Sequence, residues 1–317
     1  MVLLNYRSQE SGETLADGIH WHALDLLPDP TRYYRYVIDL ARQAPTDWLL
    51  GFSDTWFGIC AESVARRVRT RAVIDAYDNY ESYMPWCPPL HWLYRRALRR
   101  CTAIVAAGPG LLALMGRGRN DLDRIGLVVP MAADPEFTPG ERGPARGRLS
   151  LPLDVECVIY SGSLFHNRGI TVLLDACQQL LKSRPQLQFI FSGRKAADLC
   201  LPANCRYMGY LDDAQLKDLY RSADLLVAVN LENAFGKYSY PVKIYEALAM
   251  GVPVVASRTS STAYVLQDYP GALVVPNDVD ALVERISQVL DAPYPVNRSQ
   301  AGWSSQVRQL ESLLQSQ

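Results

Sequence analysis

The 317-residue sequence contains no apolar run near the ~18–20 residues that a membrane-crossing helix needs. Its opening, MVLLNYRSQESGE, lacks a basic flank followed by a long apolar core, so it does not read as a signal peptide. No C-x-x-C pair occurs among the seven cysteines. They are scattered, several within apolar runs, and read as small buried hydrophobes in a reducing, cytoplasmic compartment. An excess of charge of one sign is missing as well. The 32 basic and 33 acidic residues leave a net charge of −1, without the basic footprint of a nucleic-acid binder. No acidic metal-binding site is evident, and His20 and His22, on one face of a strand, have no third ligand nearby, so no metal is expected.

What remains is ample apolar material, 49 % of the chain, arranged in alternating strand and helix signals. In the first half, strands are expected at Val2–Tyr6, Ile19–Leu26, Trp48–Phe52, Ala72–Tyr77, Ala103–Ala107 and Ile125–Pro130. Helices are expected at Pro30–Arg42, Trp56–Arg69, Leu90–Arg100 and Leu111–Met115. The second half repeats the pattern, with strands starting at Glu156, Leu187, Cys205, Leu225, Val254 and Gly271. Its helices span Ile170–Ser183, Asp213–Ser222, Asp278–Leu290 and Ser299–Leu314, with another beginning at Pro241. Repeated β-α units argue for parallel sheets covered by helices. A stretch rich in Pro, Gly and Arg separates the halves. The expected organisation is a domain over residues 1–137, a linker over 138–152, a second domain over 153–297, and a last helix over 298–317 that packs back on the first domain.

The densest chemistry lies in Asn230–Ser257, NLENAFGKYSYPVKIYEALAMGVPVVAS. Ser239 and Pro241 suit a helix start, with the Ser239 hydroxyl as cap. Free N–H groups and the positive end of the helix dipole attract phosphate there, and Lys243 adds a point charge. Glu246, one turn further along the same face, can accept hydrogen bonds from two vicinal ribose hydroxyls. Upstream, Gly162 lets the backbone approach an anion at the carboxyl end of a strand, where open α/β sheets bind ligands.

These segments resemble the family 4-like glycosyltransferases of GT-B fold, in the branch with an S-x-P-x-K-x-x-E helix followed by G-x-P-V-V-A. The run CVIYSGSLFHNRGITVLLDA, then PQLQFIFSG, RYMGYL and LYRSADLLVA, match successive units of that family in order. Val129–Phe137 resembles its interdomain connector. The resemblance implies two doubly wound, Rossmann-like domains about a cleft. It implies sugar transfer from a UDP- or GDP-linked donor, used as substrate with no further cofactor, to a glycan or lipid-linked acceptor. Carried over, Ser239 and Lys243 hold the diphosphate and Glu246 the ribose. Ser163 and Arg168 occupy the two positions that in the family aim cations at the diphosphate, and Tyr210 lies in the loop that meets the base. Asp78, after the strand ending at Tyr77, meets the acceptor hydroxyl, with Glu81 as the alternative.

The sequence departs from the family at four places. Ser163 replaces an Arg. Tyr238 replaces a Glu beside the transferred sugar, with Glu232 upstream as a substitute. Tyr77 replaces a His. The opening strand, Gly loop and helix are missing or reduced to Val2–Tyr6. These departures leave open a non-catalytic relative that binds a nucleotide or a partner, while the lack of a His/Glu-rich cleft counts against a sugar-nucleotide epimerase. Gly108-Pro109-Gly110 reads as a turn. Finally, the segment Trp86–Arg100 carries aromatics and four arginines, suited either to an anionic membrane surface or to a solvated helix face.

Overall fold

The computed structural model describes residues 2–5, 12–25, 29–43, 46–203, 205–297 and 302–316. Tyr6, Leu26 and Ser299, each at the end of an expected element, lie outside them. Strands β1 (Val2–Asn5), β2 (Gly12–Ala16) and β3 (Ile19–Asp25) form a three-stranded sheet in the order β1-β3-β2. The segment over β2 lies between two expected strands and pairs antiparallel with β3. Asp17 and Gly18 make the turn with φ of 52° and 75°. An Asp-Gly pair between alternating residues is the hairpin signal that fits this geometry.

Helix α1 (Pro30–Gln43) leads into a second sheet of the same lobe. Its elements are β4 (Trp48–Phe52), α2 (Thr55–Val68), β5 (Arg71–Ala76), α3 (Pro88–Arg100), β6 (Ala103–Ala106), α4 (Pro109–Met115), α5 (Leu122–Ile125) and β7 (Gly126–Val128). The four strands are parallel and lie in sequence order. The inner strands β5 and β6 are largely apolar runs buried on both faces, as a covered parallel sheet requires, while Leu50 and Phe52 of β4 are exposed. One face, with Ile74 and Ile104, packs on Tyr94, Leu98 and Leu111. Asp54 caps α2 at Trp56 N, and Arg69 ends it in the left-handed region.

The stretch read as a linker contains α6 (Arg142–Arg148), which is docked on the second lobe. Gly143, Pro144 and Gly147 disguise it, since none favours a helix. Arg146 holds it. That side chain is 1 % exposed and donates to the carbonyls of Ser222, Leu153 and Val155 and to the Asp224 carboxylate at 2.7–3.1 Å. Leu149 and Leu151 join the second-lobe core.

The second lobe runs β8 (Cys157–Ser161), α7 (Ile170–Ser183), β9 (Gln188–Ser192), β10 (Cys205–Tyr207), α8 (Asp213–Ser222), β11 (Leu225–Ala228), α9 (Val242–Met250), β12 (Val254–Ser257), α10 (Ser260–Val265), β13 (Leu273–Val274) and α11 (Val279–Asp291). Its parallel sheet has the order β10-β9-β8-β11-β12-β13. The order reverses between β8 and β11, which opens a crevice beyond their carboxyl ends. Helix α10, not anticipated from sequence, starts with a Thr259–Thr262 capping box. Last, α12 (Trp303–Ser316) lays Leu310, Leu313 and Leu314 against Val73, Ala103 and Val105 of the first lobe.

Replacing Arg146 by Ala strands several buried carbonyls and one carboxylate. The expected cost is about 3–5 kcal/mol of unfolding free energy, measured by urea denaturation. Arg142 shares Asp224 from an exposed position, and its replacement by Ala is expected to cost about 1 kcal/mol or less.

Candidate functional site

The crevice between β8 and β11 is where the second lobe brings its charged groups together. After β8 the chain turns at Gly162, whose φ is 136°. A side chain is strained there, and a Cβ would lie 2.7 Å from Lys243 Nζ. Lys243 is the second residue of α9. The apolar face of α9, with Ile244, Ala247 and Leu248, is buried in the lobe, so Lys243 turns to the crevice. Its ammonium stands 4.3 Å above the ring of Tyr160. Burial, then the nearby Arg168 charge, push the lysine down to about 8, with Glu246 opposing. Arg168 follows the same Gly loop and stacks its guanidinium 3.7 Å from the ring centre of Phe235.

The start of α9 differs from the expected one. Pro241, not Ser239, is the N-cap, with an extended backbone and no side-chain cap. A proline there cannot donate a backbone hydrogen bond, and the Ser239 hydroxyl is directed to Asp78 of the other lobe instead.

Asp78 lies just past β5 and is buried. Tyr83 Oη donates to its Oδ2 at 2.5 Å. Burial pushes the carboxyl up to about 6, against the pull of Tyr83, Arg168 and Ser239. Asp75, also desolvated, is pushed up to about 6. Together Asp78, Gly162, Ser163, Arg168, Ser239 and Lys243 line one cavity of about 280 Å³ between the lobes. A larger open depression of about 810 Å³ lies at the opposite, amino-terminal end of β4 and β5, beside Arg42 and Arg69, and contains none of them.

Other expected site residues stand apart from this cavity. Glu246 is one turn beyond it, with Oε2 accepting from Tyr220 Oη at 2.6 Å. Burial raises its pKa, while Tyr220 and Lys243 lower it. Tyr210 is 82 % exposed and outside the lining. Its neighbour Tyr207 donates to the Gly193 carbonyl. Glu232 is exposed and also outside the lining. Glu81 pairs with Arg95 at 2.6 Å, which ties it to α3. His166, in the turn just before Arg168, contacts Asp198 on the surface.

Sequence reasoning passed over several residues that the geometry brings in. Tyr83 holds Asp78. Phe235 supports Arg168 on one side and stacks against Tyr83 on the other, with ring centres 5.8 Å apart. Asn79 Nδ2 donates to the Ala234 carbonyl at 2.9 Å across the lobes. The E-N-A-F-G turn thus serves this site through Ala234 and Phe235 rather than through its acid. The aromatic in that turn was the available signal.

Residues 142–309, more than half of the chain, match the family model described as Glycosyl transferases group 1. The chain belongs to this family. Among its relatives, D-inositol 3-phosphate glycosyltransferase of Mycolicibacterium smegmatis is 29 % identical over 202 residues, 59 % of this chain and 44 % of the relative. Phosphatidyl-myo-inositol mannosyltransferase of Mycobacterium tuberculosis is 32 % identical over 155 residues, 45 % and 40 % of the two chains. The chain therefore spans less than half the length of these curated relatives. Among solved structures, Anabaena HepE in complex with UDP and glucose superposes with a TM-score of 0.78 at 15 % identity, covering 95 % of this chain and 87 % of that one. Sucrose-phosphate synthase of Thermosynechococcus elongatus gives 0.74 at 17 %, covering 99 % and 88 %. This group 1 member thus has the GT-B fold expected from its motifs.

Enclosing the Lys243 ammonium costs this family member stability, and the sign of the pH dependence follows. The folded group loses its proton near pH 8, the unfolded one near 10.5. Stability therefore rises with pH across that window, where the unfolded chain binds more protons. Lys243→Met is expected to gain about 2–3 kcal/mol at pH 7 and to abolish the rise, as read by urea denaturation from pH 7 to 10.5.

Proposed function

We propose that this protein transfers a sugar from a nucleoside diphosphate sugar, UDP- or GDP-linked, to a hydroxyl of a glycan or lipid-linked acceptor. The observation that carries the reading is the confinement of two cations, Lys243 and Arg168, beside Gly162 in a cavity whose opposite wall bears the Asp78 carboxyl. The bond from the anomeric carbon to the diphosphate breaks with its electron pair on the leaving oxygen. Lys243 and Arg168 stabilise that developing charge, which is the demanding part of such a transfer. The anomeric carbon gains a bond to the acceptor oxygen. Asp78, ionised above about pH 6, accepts the hydrogen bond of that hydroxyl and, in an inverting course, its proton. Gly162, Ser163 and Ser239 line the diphosphate subsite, and Glu246 engages the ribose after exchanging its Tyr220 contact. Family membership supports the reaction class. The UDP and glucose of the HepE complex support the donor class, and the phosphatidyl-myo-inositol mannosyltransferase relative supports a lipid-linked acceptor.

A second reading, a binder without turnover, is favoured by one observation. Glu232, the acid nearest in sequence to the position where relatives carry a Glu, is exposed and outside the cavity lining, while Tyr238 occupies that position itself. Incubation with a panel of UDP- and GDP-sugars, following diphosphate release and glycosylated product, separates the readings. Nucleotide binding without release across the panel sinks the transferase reading, and an altered sugar nucleotide would indicate an epimerase instead.

The exposed side of α3 carries a further partner proposal. Trp92 is 58 % exposed with the Arg96 guanidinium 5.5 Å from its ring centre, and Arg99 and Arg100 are exposed beside them. Aromatics and arginines on one helix face suit the headgroups of an anionic bilayer. Sedimentation with phosphatidylglycerol liposomes but not with neutral ones is the expected result. Equal pelleting, or none, removes the membrane contact.

For the donor site, Arg168→Ala and Lys243→Ala are each expected to weaken UDP or GDP binding about ten-fold or more, the loss of one charge-assisted hydrogen bond. Affinity in the unmodified protein is expected to fall as pH rises through about 8, where free Lys243 is neutral. Isothermal titration calorimetry at pH 7 and 9 checks both.

A further inference from the structure

Tyr240 belongs by sequence to the second lobe, two residues before α9, yet its ring is seated in the first. It is 4 % exposed and lies in one apolar cluster with Ala107, Leu111 and Leu114. A Cβ on Gly108 would meet the ring at 2.1–2.2 Å and the hydroxyl at 2.4 Å, so no other residue fits there without displacing Tyr240. Gly108 was read from sequence as part of a turn, but its lack of a side chain makes the seat. Tyr264 covers the ring edge-on at 6.2 Å. Tyr240 Oη is buried without a well-formed hydrogen bond, beside the backbone of Gly110 and Leu111. A desolvated hydroxyl is a cost that packing must offset, so shape complementarity rather than polar pairing holds the contact. The neighbours of Tyr240 in the chain give the seat its meaning. Ser239 faces Asp78, and Lys243 lies three residues on.

We propose that Tyr240 is a positioning residue. Seated against Gly108, it fixes the beginning of α9 to the acceptor-side lobe, and so sets the separation of Lys243 and Ser239 from Asp78. An ordinary interlobe packing contact would stabilise the protein without this coupling. The coupling of lobes needs no ligand. The consequence for nucleotide binding rests on the donor-site reading above.

The test compares Gly108→Ala, Tyr240→Ala, their double variant and Tyr240→Phe with the unmodified protein. Solution scattering reports the radius of gyration, calorimetry the unfolding profile, and titration the affinity for UDP. Each single variant is expected to enlarge the radius of gyration, to split or broaden the unfolding transition and to weaken UDP about five-fold or more. The double variant is expected to be no worse than the worse single one, because both break the same contact. Tyr240→Phe keeps the ring and is expected to restore all three properties. Unchanged scattering and unfolding in both single variants overturns the proposal, as do losses that add in the double variant or a Tyr240→Phe variant as impaired as Tyr240→Ala. If Gly108→Ala fails to fold by circular dichroism, the Tyr240→Ala and Tyr240→Phe pair decides alone. Should the unmodified protein bind no UDP, GDP or ADP, the donor reading fails, while scattering and calorimetry still judge the seat.

Discussion

Two positive charges held beside one another in a half-buried cavity are the constraint from which the rest of this molecule follows. Burial first, and the Arg168 charge second, lower the proton affinity of Lys243. The fold nevertheless surrounds them with the face of Tyr160, the ring of Phe235 and a turn of bare backbone at Gly162. Aromatic faces reduce the cost of such burial without neutralising the charge. An anion beside the two groups would offset their mutual repulsion more fully than the aromatic faces do. The carboxyl of Asp78 does not serve as that anion within the fold. It is tied to Tyr83 and lifted by burial toward neutral pH, where it remains responsive to what is placed beside it.

Neither lobe makes this environment alone. The carboxyl and its tyrosine come from the end of β5, the cations from the Gly loop after β8 and from α9. The segment between β11 and α9 knits them, through Ala234 on Asn79, Phe235 on Tyr83, and Tyr240 on Gly108. That segment was already the richest in the sequence. Its aromatics, rather than its acid, turn out to touch the opposite lobe.

The architecture was largely legible because parallel strands buried on both faces write themselves as apolar runs, and because helices such as Ile170–Ser183 and Asp213–Ser222 carry clear periodicity. Local rules failed where long-range contacts decide. Helix α6 is poor helix material, and only the carbonyls gathered around Arg146 reveal why it forms. The hairpin at Asp17-Gly18 did carry its signal. At the site, Lys243, Arg168, Asp78, Ser163 and Ser239 do share one cavity, since each follows a strand or opens a helix at the same end of its sheet. Tyr210 and Glu232 do not join them. Their positions depend on loop path, which residue spacing does not encode. The seat at Gly108 was invisible for the same reason: a glycine that accommodates a remote ring looks, in sequence, like any turn glycine.

The placement of α12 has a mechanical consequence. Because Leu310, Leu313 and Leu314 rest on the first sheet while α11 belongs to the second, the polypeptide passes between the lobes twice, once before α6 and once before α12. A body joined to another by a single tether can swivel in any direction. Two tethers already leave fewer directions of relative turning than one, and the Tyr240 ring against Gly108 and the Asn79 bond to Ala234 take away more of them.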